Sequence, residues 1–176
     1  MGGLSNRAPQ RGRGGGRVSG SLTLRSGHLA FFIDLPRVRS KSNYRHSRRS
    51  STWSSIQGFE GEVCIEAKAA CPEDWQMGDL ADPIAARPGV VACVAARTML
   101  DAGNLSKSVL DAVQGVVYHS DASVRGVTEL TRRARANQNG VAAFVLLDAA
   151  APESEVLEVL AELPAALVAV WVEDQS

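Results

Sequence analysis

Apolar residues in this chain fall into two kinds of pattern, short dense runs and positions spaced three or four apart, with long stretches of neither between them. The first 27 residues show neither pattern: RAPQRGRGGGR and SGSLTLRSG are rich in Gly, Arg and Ser. Such a segment buries too little surface to offset its chain entropy, so residues 1–27 are read as a disordered tail and 28–176 as the folded part. The run LAFFIDL, stopped by Pro36, predicts a first strand. A basic, Ser-rich loop follows. Over 56–70, Phe59, Val63, Ala67 and Ala70 share one helical face, although Gly58 and Gly61 weaken the helix. Pro72, Pro83, Pro88 and Gly89 mark a connector, and VVACVAAR (90–97) reads as a buried strand.

In the second half, Asn104 predicts a helix cap, Leu105, Val109, Leu110 and Val113 a helix, and Gly115 its stop. VVYH (116–119) reads as a short extended piece. Residues 124–133 and 141–147 read as two strands joined as a hairpin through NQNG at 137–140. Pro152 opens a last helix with Val156, Leu157, Val159, Leu160 and Leu163 on its apolar face. Pro164 ends it, and 166–172 predicts a final apolar strand. The expected class is therefore α+β, a mixed sheet with two or three helices in one compact domain.

Charge changes the picture more than composition does. The net charge is zero, yet residues 1–49 hold eleven of the nineteen Lys and Arg residues and one acid, Asp34. A polyanion such as DNA would be drawn to that part and repelled by much of the rest; the alternative is a solvated basic tail. Residues 1–27 read either as an RG-type nucleic-acid arm or as upstream sequence from a misplaced start codon. No apolar run approaches the ~20 residues of a membrane helix, and no apolar stretch follows the N-terminal arginines as a secretory signal requires. Three cysteines without a CxxC pair give neither a disulfide framework nor a zinc site. The expected compartment is the cytoplasm.

Candidate chemistry concentrates in residues 101–124, DAGNLSKSVLDAVQGVVYHSDASV. Asp101 would close a strand, Lys107 and Asp111 ride the helix, and His119 and Asp121 occupy the turn after it. Two acids at such places can converge, and convergent carboxylates suit Mg²⁺, which takes hard oxygen ligands. Read as surface residues, the same acids are cap and turn groups, and Lys107 and Asp111 merely a pair four apart. His119 is a candidate general base or an exposed turn residue. Tyr44, Tyr118, Trp53, Trp75 and Trp171 are candidates for stacking on bases or for packing.

The stretch resembles the central signature of the RusA-like Holliday junction resolvases, D-x-D-N-(x)2-K, L-D-A-(x)2-G and Y-x-D-D-x-x-V. Asp101, Asn104, Lys107, Leu110, Asp111, Ala112, Gly115, Tyr118, Asp121 and Val124 match it in register. Pro36, Ser42, Asn43, Tyr44 and Arg45 resemble the family's region after the first strand, at compressed spacing. The resemblance covers residues 29–147. It implies a Mg²⁺-dependent endodeoxyribonuclease that cuts four-way DNA junctions as a symmetric homodimer. It implies metal-binding, catalytic roles for Asp101 and Asp121, a phosphate-contacting role for Lys107, and DNA contacts from Lys41 and Arg45. Two positions depart from it. Gly103 stands where the second acid belongs, and Ser120 replaces the first acid of the turn. Asp111 is the first candidate to replace the missing ligand and Glu129 the second. A non-catalytic DNA-binding relative is the alternative reading.

Overall fold

The computed structural model describes residues 19–35, 37–38, 51–73, 89–100, 103–135 and 138–173. Among these residues five strands and three helices follow in the order β1 (Gly20–Thr23), β2 (Leu29–Leu35), α1 (Ser51–Ala70), β3 (Gly89–Thr98), α2 (Asn104–Val113), β4 (Val124–Arg133), β5 (Asn139–Leu147) and α3 (Glu153–Glu173). The class is the expected α+β, and the sheet is mixed, in the order β1-β2-β5-β3-β4. β3 is its axis, antiparallel to β5 and parallel to β4. All residues of β3 from Gly89 to Ala96 are buried. A strand covered on both faces reads as a continuous apolar run, and VVACVA does so.

Side chains alternate across the sheet and so build two cores. Val90, Ala92, Val94 and Ala96 meet Phe31, Ile33, Phe59, Val63, Leu105, Val109 and Tyr118 on the face covered by α1 and α2. Val91, Cys93 and Ala95 meet Phe32, Val145, Val156, Val159, Leu163 and Leu167 on the face covered by α3. Phe31 and Phe144 lie opposite one another in the β2–β5 register and stack, ring centroids 5.1 Å apart. Such an aromatic pair contributes about 0.5–1.5 kcal/mol beyond its buried area.

Several expectations are corrected. Structure begins before Leu29: β1 lies inside the segment read as disordered, pairing Gly20 with Phe32 through Thr23 with Leu29. Gly27 turns the chain at φ 90°, its N–H on the Leu24 carbonyl, and Leu24 is buried. The helix expected over 56–70 starts at Ser51; Gly58 and Gly61 have open space around them. The hairpin of 124–133 and 141–147 is not formed. β3 lies between those strands, because its apolar residues fill the centre of the sheet and leave the more polar β4 at the edge. Residues 116–117 are not extended but form a tight turn, both N–H groups donating to Val113 O at 3.0 Å.

The expected strand over 166–172 is instead the second half of α3, which runs through Pro164. An interior proline removes one helical hydrogen bond and costs roughly 3 kcal/mol. Val156, Val159, Leu163 and Leu167 nevertheless keep helical spacing across it and are all buried on the sheet. That continuous stripe outweighs the local break. Leu157, assigned to the apolar face, is exposed. Trp171 lies on this helix with the Arg97 guanidinium 5.8 Å from its ring centroid. No helix among the described residues is long and apolar enough to cross a membrane.

Candidate functional site

The signature stretch forms a β3–α2–β4 crossover. β3 rises to Thr98, α2 returns, and β4 rises again beside β3, Val90 pairing with Val124 and Thr98 with Arg133. α2 buries Leu105, Val109 and Val113, spaced four apart, and leaves Lys107 exposed. The cap differs from expectation. Asn104 is the first helical residue, and Gly103 occupies the cap position with φ 84° and ψ −21°. This left-handed conformation suits glycine. No side chain of the cap residue bonds the helix end. The cap comes from across the fold instead: Glu129 of β4 accepts the Ser106 N–H through Oε2 at 2.9 Å. Ser106 Oγ in turn donates to Gly103 O at 3.3 Å. A carboxylate at a helix N-terminus is favoured by the macrodipole. The other oxygen, Glu129 Oε1, is buried without a hydrogen-bond partner, and an orphaned buried oxygen of this kind marks strain, an ion or a water.

At the far end of α2 the chain turns through Gly115 (φ 84°), whose N–H donates to Tyr118 O at 2.7 Å. Tyr118 is fully buried, and its hydroxyl donates to Leu110 O at 2.8 Å. Burial raises its phenol above the usual range, and the negative charges of Asp121 and Asp111 raise it further. Tyr118 is thus a packing residue here, not a stacking platform. Asp121 is exposed and opens the 3-10 turn Asp121–Ser123. His119 is half-buried, and its carbonyl accepts the Gln114 side-chain amide at 2.8 Å.

Asp121 therefore belongs to the same end of α2 as Asp111, not to the end at Gly103. The ten residues of α2 separate the two ends by ~15 Å at 1.5 Å rise per residue. Glu129 lies five residues beyond the start of β4, roughly 16 Å along the strand from the Asp121 turn. Each Mg–O bond is about 2 Å, so Asp121 and Glu129 of one chain cannot hold one ion. No group of three or more His, Cys, Asp or Glu that could hold a metal exists among the described residues. The described residues of a single chain do not fit a complete magnesium site. Asp101, Lys41 and Arg45 lie outside the described residues, as do Tyr44 and Trp75, and so does the convergence expected between Asp101 and Asp121.

A basic surface that sequence reading had not singled out lies at the Gly103 end. Arg132, Arg133 and Arg135 are exposed, and Ala134 N–H donates to Thr98 O at 3.1 Å, which fixes them beside the end of β3. Period-two reading of VRGVTELTRR gave their strand, but only the parallel pairing with β3 brings them to the end where α2 begins. No protein-family model matches the chain, and no curated protein sequence matches it.

Proposed function

We propose that this chain is a structure-specific endodeoxyribonuclease of the RusA-like kind, Mg²⁺-dependent and acting on branched DNA. The observation that carries the reading is Glu129. Its carboxylate is held against the α2 N-terminus beside Gly103, where the signature lacks its acid, and it keeps one buried oxygen unpaired. Exposed Lys107 follows on the first turn of α2, and Arg132, Arg133 and Arg135 add positive charge at the same end. A phosphate backbone would meet cations there, with the acid set among them. Asp101 keeps the metal-binding role that the resemblance implies and Lys107 its phosphate contact, whereas Asp121, at the opposite end of α2, does not share an ion with Glu129 within one chain. Lys41 and Arg45 would extend the DNA-contacting surface.

A non-catalytic, junction-binding role is the second reading. It is favoured by the left-handed glycine at position 103 and by the distance between Asp121 and Glu129. Incubation of the protein with a synthetic four-way junction, with and without Mg²⁺, separates the two. The enzyme yields paired nicks only with the ion, whereas the binder retards the junction in either condition and leaves it whole. Neither retardation nor cleavage overturns both.

A further inference from the structure

We infer that the Trp171 end of α3 is a docking site for single-stranded nucleic acid, with an unpaired base against the indole and phosphates on Arg97 and Arg132. The register of the sheet gathers these side chains. Arg97 of β3 is paired with Arg132 of β4 on one side and with Asn139 of β5 on the other. Residues directly opposite one another in a sheet share a face. All three therefore lie on the face that Val91, Cys93 and Ala95 present to α3. Arg133, paired with Thr98, belongs to the opposite face, the one covered by α2. The sheet thus stands between this site and the Gly103 end of α2. Trp171 also lies beyond residues 29–147, so the resemblance assigns it nothing.

The Arg97 guanidinium stands 5.8 Å from the centroid of the Trp171 ring. Both side chains are half-buried, so part of the pair is open to solvent. Aromatic rings and guanidinium planes are the surfaces on which unstacked bases lie, and any base serves because each has a π-face. Arg132 is exposed, and neither it nor Arg97 pairs with a carboxylate among the described residues. Both charges are open to a phosphate. Asn139 keeps a buried amide oxygen, Oδ1, without a hydrogen-bond partner. A turn of that amide would offer the oxygen to an N–H on the edge of a base.

An acidic peptide would satisfy the arginines and leave the indole and the amide unused, whereas a nucleic acid strand supplies anion, flat ring and N–H together. A base inside a duplex has neither its face nor its pairing edge free, so the site selects unpaired strand. It stands on these side chains whether or not the chain is a nuclease.

The test reads Trp171 itself, without Mg²⁺ and without cleavage. In the full chain carrying Trp53→Phe and Trp75→Phe, Trp171 is the one tryptophan left. A short poly-dT strand should quench its fluorescence saturably. An abasic strand of the same length should need about 5- to 150-fold more for the same quench, the 1–3 kcal/mol of one stacked base. A blunt duplex should not reproduce the quench. Arg132→Gln, at an exposed position, should lower the salt slope of the poly-dT titration by about one. Poly-dT that leaves Trp171 unquenched overturns the site, and so does an equal quench by the abasic strand or the duplex. The same quench from a poly-Glu peptide would make the partner an acidic protein and overturn it as well. An unchanged salt slope in Arg132→Gln refutes the phosphate contact.

Discussion

Replacing Glu129 separates a helix cap from a ligand. Glu129→Gln keeps an acceptor for the Ser106 N–H, 2.9 Å away, and removes the charge. Loss of a carboxylate at a helix N-terminus costs about 0.3–1 kcal/mol. Glu129→Ala removes the acceptor as well and leaves the Ser106 N–H, in a residue only 7% exposed, without its partner, at about 1–3 kcal/mol. For a domain of this size each kcal/mol lowers Tm by roughly 2–4 °C. The Gln variant should therefore melt within about 4 °C of wild type and the Ala variant clearly lower. In a magnesium titration followed by calorimetry, and in junction cleavage, the Gln variant should lose the ion-dependent response while still binding junctions. If Gln retains the full Mg²⁺ response, Glu129 is a cap and nothing more. If Ala melts with wild type, the hydrogen bond does not hold the helix end.

Gly103→Asp should increase Mg²⁺ affinity and cleavage, at about 1–2 kcal/mol of stability for a side chain at φ 84°; a normally folded variant without an Mg²⁺ response refutes the metal assignment. Gly140→Ala puts a Cβ 2.5 Å from the Ala95 carbonyl oxygen and 2.8 Å from Ala96 Cβ; a loss of about 1–3 kcal/mol or more in urea melts is expected, and an unchanged midpoint would refute the close approach. Burial pushes the Cys93 thiol up to about 12 from 9.0. The folded state thus holds a proton that the unfolded state releases above pH 9, so stability falls as pH rises from about 9 towards 12. Cys93→Ala should flatten that part of the denaturation curve, and an identical slope in the variant refutes the attribution.

What the sequence made legible was local and periodic. The run at 29–35, the run at 90–97 and the face Leu105–Val109–Val113 each state their own burial, and each takes its expected place. The failures share a cause, which is competition from partners distant in sequence. NQNG offers a hairpin turn, but β3 takes the place between the two strands. Pro164 offers a stop, but the sheet holds Val159, Leu163 and Leu167 in one helix. Asn104 offers a cap, but Glu129 supplies it from another strand. At the candidate site, Lys107 and Asp121 were named on the signature, yet α2 holds their ends of the crossover apart. A linear motif gives the order of its residues, whereas the direction of the helix between them decides which ones meet. The three arginines gave no local signal, since bases in a polar edge strand read as a solvated face, and Glu129 was named only as the second substitute ligand, not as the cap of α2.

The most direct test is a comparison of affinities that does not depend on catalysis. The protein is titrated, without Mg²⁺ and at fixed salt, against a four-way junction and a linear duplex of the same arm sequence. A protein built for branched DNA binds the junction at least about tenfold more tightly, a difference of about 1.4 kcal/mol. Equal affinity for the two, or binding to neither, would contradict the account.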